Sequence, residues 1–139
     1  MRTTRPATRG SAELGAATDS LADVSTSEPD CLFCKITSGQ IPADVVAQDD
    51  QVVAFRDLTP QAPLHVLVVP RNHHADVATL AQVDPGALAA LVRMGSAIAQ
   101  DEAAGQFRLV FNSGPDAGQS VYHVHGHVLA GRVMTWPPG

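Results

Sequence analysis

Val121-Tyr122-His123-Val124-His125-Gly126-His127-Val128-Leu129 is the stretch on which the reading of this chain turns. Three of the six histidines stand here at alternate positions. Side chains of an extended strand alternate between its two faces, so His123, His125 and His127 are expected to project together, about 7 Å apart. Val124, Gly126 and Val128 would then face a core. Imidazoles in register serve two chemistries: ligation of a metal, or attack by a neutral ring on an electrophile such as phosphorus. The plain alternative is the solvated face of an amphipathic strand, which suits one histidine better than three.

A chain of 139 residues is one domain by length. Hydrophobic residues make up 45% and aromatic residues only 4%, so Val, Leu, Ile and Ala must build the core. A net charge of -5 with a single lysine excludes the dense basic patch of a general nucleic-acid binder. A small nucleotide is still permitted, because backbone N–H groups can hold an anion. No apolar run reaches the ~18 residues needed to span a bilayer, and no signal-peptide core follows the start. A cytoplasmic protein with reduced thiols and no membrane partner is the expectation.

Working back from the histidines, Ser113-Gly114-Pro115-Asp116-Ala117-Gly118-Gln119-Ser120 is a turn-rich loop that could aim N–H groups at an anion or simply connect two strands. The strand Arg108–Asn112 precedes it. Asp84-Pro85 reads as a helix start, a capping acid followed by proline at the first helical position. From there Leu88, Leu91, Val92, Gly95, Ile98 and Ala99 follow the spacing of a core-facing stripe, which predicts a long helix over 85–103. A shorter helix is expected near 76–82. Leu64-His65-Val66-Leu67-Val68-Val69-Pro70 is apolar enough for a central strand, interrupted only by His65. The runs 44–48 and 51–55 flank Asp49-Asp50 as a hairpin. Cys31 and Cys34, two apart on a short helical turn, read as half of a zinc site or a redox pair. Residues 1–28 carry Arg2, Arg5 and Arg9 but little to bury, and are expected to form a disordered extension ahead of a domain over 29–139. Trp136, the lone tryptophan, is expected to anchor the C-terminal segment within the subunit or across a dimer interface.

Several of these motifs together resemble one family. His123-Val124-His125-Gly126-His127-Val128-Leu129 resembles the His-x-His-x-His signature of the histidine triad superfamily. Gln119-Ser120-Val121-Tyr122, Trp136-Pro137-Pro138-Gly139, Cys31-Leu32-Phe33-Cys34-Lys35-Ile36, Phe55-Arg56-Asp57 and Pro60-Gln61-Ala62-Pro63-Leu64-His65 look like its nucleotide-binding protein branch. The resemblance covers about 30–139. It implies an α+β fold, a five-stranded antiparallel sheet with one long and one short helix, pairing as a homodimer into a ten-stranded sheet. It also implies hydrolysis of purine nucleoside phosphoramidates or aminoacyl adenylates through a nucleotidyl-histidine.

By the same resemblance His125 matches the nucleophile, while His127 and His65 match histidines that orient the phosphate. Ser120 and Asn112 match residues touching the phosphate or leaving group, and Gly118 and Gln119 belong to the same phosphate-side segment. Asp57 matches the acid on the ribose hydroxyls, and Phe33, Ile36, Phe55 and Leu58 fall where the base pocket is lined. Trp136 falls on the leaving-group side. Zinc-bearing relatives imply a structural zinc on Cys31, Cys34, His73 and His123, with His74 as the rival of His73, and no catalytic cofactor. Gly126 departs from the pattern, which usually has a bulky apolar residue there; either a neighbour fills the space this leaves beneath the nucleophile or the strand is looser there. The competing readings are a dimeric nucleotide-binding scaffold, a dinucleoside polyphosphate hydrolase, and metal-centred hydrolysis at the triad itself.

Overall fold

The computed structural model describes residues 27–139. The expected extension over 1–28 therefore lies outside the described residues, apart from the exposed Ser27 and Glu28. In chain order the elements are α1 (Leu32–Thr37), β1 (Val45–Gln48), β2 (Val52–Arg56), β3 (Leu64–Pro70), α2 (Val77–Val83), α3 (Pro85–Ala103), β4 (Arg108–Val110) and β5 (Gly126–Ala130). The five strands form one sheet in the order β1-β2-β3-β5-β4, and every neighbouring pair is antiparallel. None of the described helices is long and apolar enough to cross a membrane.

Local chemistry sets the element ends. Asp49 Oδ1 accepts from the backbone N–H groups of Gln51 and Val52, both at 2.8 Å, and closes the hairpin. Asp76 caps α2 by accepting from Thr79 N at 2.9 Å, and Asp84 caps α3 through Ala87 N at 3.1 Å. Pro85 then opens α3, where its missing N–H has no partner to lose.

The sheet is apolar on both faces because β3 is buried along its whole length. Leu64, Val66 and Val68 pack with Val128 and Ala130 on the face that α3 covers. Leu67 and Val69 pack with Val53, Phe55 and Phe33 on the other. The buried positions of α3 are Ala87, Ala90, Leu91, Gly95, Ile98 and Ala99. This shifts the expected stripe: Leu88 is only half-buried and Val92 is exposed, while two alanines take the sheet side. Small residues let the helix axis sit close, as at Gly95, where an added Cβ would meet Val128 Cγ2 at 2.9 Å.

One expectation changes at the last strand. The triad does not ride on one continuous strand, because β5 begins only at Gly126 and His123 and His125 precede it. The ladder with β3 starts at Val68↔Gly126. Further along, Pro70 has no N–H to offer, and its carbonyl accepts from the His123 ring at 2.8 Å. Of the two alternatives at Gly126, the structure has the filled one. A Cβ there would lie 2.9 Å from Leu109 Cδ1, 3.1 Å from Leu91 Cδ2 and 3.2 Å from Phe111 Cε1.

Arg71 contributes a further fastening. Its guanidinium donates to Asp49 O at 2.7 Å, Thr37 O at 3.1 Å and Gln48 Oε1 at 2.9 Å, tying the end of α1 to the β1–β2 turn.

Because neighbours already occupy the space, Gly126→Leu is expected to lower unfolding free energy by about 1–3 kcal/mol in urea titrations. Leu109→Ala added to it should recover part of that loss, and an unchanged midpoint in the single variant would contradict the packing described.

Candidate functional site

Two histidine clusters lie side by side on the sheet face opposite α3. In the first, Cys31 caps α1, its Sγ accepting from Cys34 N at 3.3 Å, so that both sulfurs point the same way. Cys31 Sγ and Cys34 Sγ lie 3.4 and 3.5 Å from His123 Nδ1, and Cys34 Sγ lies 3.4 Å from His73 Nδ1. All four donor atoms fall within 4.8 Å of one another. A tetrahedral zinc with ordinary bond lengths sets S···N edges of about 3.6 Å.

The protonation chemistry also suits a metal. Burial lowers the pKa of His73 and takes that of His123 down to about 4, leaving both rings neutral with lone pairs to give. His123 Nε2–H donates to Pro70 O, which turns Nδ1 toward the sulfurs. Burial raises the Cys34 thiol, so its thiolate form calls for a cation beside it. The set fits a structural zinc: four protein donors complete a tetrahedron and leave no position for a substrate. His74 contributes its carbonyl instead, accepting from Val124 N at 2.8 Å.

The second cluster is His65, His125 and His127. Ring centroids are 5.1 Å apart for His125 and His127, and 5.2 Å for His65 and His127. Hydrogen bonding assigns each tautomer. His125 Nδ1 lies 2.8 Å from His123 O, an acceptor only, so Nδ1 carries the proton and Nε2 keeps its lone pair. Gln61 N–H donates to His65 Nδ1 at 3.0 Å, which puts the His65 proton on Nε2. That N–H faces His127 Nδ1 at 3.0 Å, with Asp57 Oδ2 at 3.4 Å beside it. His127 therefore carries its proton on Nε2. Burial lowers the pKa of His65, the Asp57 charge opposing it in part. Burial, followed by His125 and His65, brings His127 down to about 4. One ring thus offers a bare nitrogen, and its neighbour offers a neutral donor.

Next to these rings lies a cavity of about 240 Å³ whose walls include Phe33, Ile36, Phe55, Asp57 and Leu58. Phe33 meets His125 edge-on, with centroids 5.0 Å apart. Leu58 is almost fully exposed at the rim, and Asp57 Oδ1 accepts from Thr59 N at 2.8 Å. Leu67 and Ile41 also line the cavity and were not among the expected residues. Leu67 was within reach of sequence reasoning, since it shares a strand face with His65 two residues away. Gln61 was not, because it acts through its backbone.

The remaining expected residues lie apart from those walls. Asn112, Gly118 and Ser120 belong to the β4–β5 connection, with Ser120 exposed. Gln119 is buried: its amide accepts from Gly114 N and donates to Ala75 O and Val121 O, so its side chain holds the loop and does not face a ligand. Trp136 is 80% exposed in the single chain and stacks over Arg108, 5.9 Å from the guanidinium carbon to the ring.

A HIT domain model matches residues 38–134. The chain belongs to the HIT family. It is 38% identical to the adenylylsulfatase HINT1 of Arabidopsis thaliana over 132 residues, covering 93% of this chain and 90% of that protein. To a 14 kDa zinc-binding protein of Brassica juncea it is 42% identical, covering 79% of this chain and all of the other. Among solved structures, a HIT family hydrolase from Legionella pneumophila superposes with a TM-score of 0.76 at 47% identity, over 79% of this chain and 100% of its own.

The depressed pKa of His127 has a pH signature. The unfolded ring titrates near 6.5 and the folded ring near 4, so below pH 6.5 the unfolded state binds the extra proton. Stability is expected to be full above 6.5 and to fall as pH drops toward 4. In denaturant titrations at pH 7.5, 5.5 and 4.5, His127→Gln should show a shallower decline than wild type, and equal slopes would refute the assignment.

Proposed function

We propose that the chain is a nucleotide-binding hydrolase that cleaves the P–N bond of purine nucleoside phosphoramidates, with His125 as nucleophile. One observation carries the reading: the His123 carbonyl holds the His125 Nδ1 proton at 2.8 Å, so the bare Nε2 is free to attack phosphorus beside a nucleoside-sized cavity. The structure from Legionella pneumophila, that of a HIT family hydrolase, supports the class.

In this reading the base lies against the cavity wall that Phe33 and Phe55 form together, and the ribose hydroxyls reach Asp57 at the rim. His125 Nε2 forms a bond to phosphorus as the P–N bond breaks. The amine departs with a proton from solvent, admitted past exposed Ser120, and Asn112 and Gly118 contact the phosphate side. His127 Nε2–H donates to a phosphoryl oxygen and stabilises its growing charge, a contribution of about 3–4 kcal/mol for a well-placed donor. His65 keeps His127 in the donating tautomer. Water then attacks the nucleotidyl-histidine, releasing the nucleoside monophosphate and the free ring. A bound zinc in the neighbouring centre supplies structure and takes no part in bond breaking. A second copy of the chain paired along the β4 edge, where Trp136 lies, completes the proposed homodimer.

The 38% identical adenylylsulfatase favours a second reading, in which sulfate leaves in place of an amine. The same nucleophile serves both. Comparing kcat/KM for adenosine phosphoramidate and adenylyl sulfate separates them.

Incubation with adenosine phosphoramidate should give AMP with wild type and a loss of at least roughly 10³-fold in kcat with His125→Ala. Mass spectrometry should trap an AMP adduct on wild type alone. Equal turnover by both proteins would overturn the proposal.

A further inference from the structure

The Cys31, Cys34, His73 and His123 centre fastens the chain, and it also touches the proposed reaction site at two points. We infer that it is a positioning device: its metal, when bound, sets the tautomer and orientation of His125 and the placement of the Phe33 wall, so that occupancy of the centre controls nucleotide binding.

The first arm runs through a single residue. His123 turns its ring Nδ1 to the sulfurs, and its own carbonyl accepts the His125 Nδ1 proton. The other end of the ring is held by Pro70 O, and the next residue, Val124, donates its N–H to His74 O. With the ring ligated, the His123 peptide has one orientation, and its carbonyl dipole aims at His125. Without a ligand on Nδ1, the ring keeps its bond to Pro70 O and the peptide its bond to His74 O, and the third anchor is lost.

The second arm is Phe33, which sits directly before Cys34. Its ring meets His125 at 5.0 Å and 80°, His123 at 6.0 Å and 78°, and Phe55 at 5.6 Å and 65°. The same ring forms part of the cavity wall. It is carried by α1, a helix of 6 residues, far too short to persist through its own hydrogen bonds. Arg71 grips the far end of α1 at the Thr37 carbonyl. The near end, which bears Phe33, is held by the two cysteines. The centre thereby joins α1, which lines the cavity, and the approach to β5, which carries the nucleophile, to the loop after β3.

The nucleotide part of the test rests on the function proposed above; the ring part does not. Full-length protein with ¹⁵N-labelled histidine should be compared in zinc-loaded and chelator-stripped forms without nucleotide. The zinc-loaded form should show His125 as one tautomer protonated at Nδ1, and the stripped form an exchanging mixture. Calorimetry with AMP should then show affinity falling roughly 10–100-fold on stripping and returning when cobalt or zinc is restored. A stripped protein that stays folded by circular dichroism, with the same His125 signature and the same AMP affinity, would overturn the inference. Should stripping unfold the chain, zinc-loaded Phe33→Leu decides. AMP affinity reduced about 3–10-fold with zinc content intact supports the second arm, and unchanged affinity refutes it. Failure of zinc-loaded wild type to bind AMP would count against the proposed function alone, because the tautomer comparison needs no nucleotide.

Discussion

The carbonyl of His123 is the acceptor on which the site depends. A neutral imidazole has two tautomers, and only one leaves the lone pair on Nε2. The 2.8 Å hydrogen bond to this carbonyl selects that tautomer for His125. Every other ring in the group is fixed in the same manner: Pro70 O sets His123, the Gln61 amide sets His65, and His65 sets His127. Side-chain chemistry is thus specified largely by main-chain groups. Main-chain groups are placed by the fold, and substitution at their own positions leaves them in place.

The sheet separates two kinds of work. Its α3 face is apolar, dense and without titratable groups among the clustered core residues, with helix and strand drawn together at Gly95 and Gly126. The opposite face holds the histidines, the cysteines and the cavity around a smaller cluster of Phe33, Phe55, Leu67 and Val69. Because β3 is buried on both sides, it links them. His65 and Leu67 face the site, while Val66 and Val68 on the same strand anchor the main core.

Much of this could be read from the residues. Asp84-Pro85 marks the start of α3 correctly, the unbroken apolar run marks β3 as central, and the spacing of Cys31 and Cys34 marks a metal half-site. Alternation of the histidines was misleading in one respect. Period two suggested a single strand, whereas the chain joins the sheet only at Gly126, because Pro70 ends the ladder and its carbonyl binds the His123 ring. Nothing in a one-dimensional pattern reports that competition. The roles of Gln61 and Gln119 were hidden for related reasons: one acts through its amide N–H, and the other turns its side chain inward to three backbone partners. Ala87 and Ala90 replaced Val92 on the buried side of α3, since the closest approach to the sheet favours small volume over hydrophobicity.

Arg71 stands one residue past the central strand, close in sequence to the histidine loop, yet its guanidinium is turned to the backbone carbonyls of Asp49 and Thr37 and to Gln48 Oε1. Arg56, on the cavity wall, is ion-paired with Glu102. An anionic group arriving at the rings is therefore met largely by oriented dipoles, with Arg56 ion-paired and Arg71 held by three carbonyl oxygens. Long-range attraction contributes little to such a reception, so added salt should scarcely alter how fast a phosphate ester finds its seat. Shape and the direction of a few protons decide whether it stays.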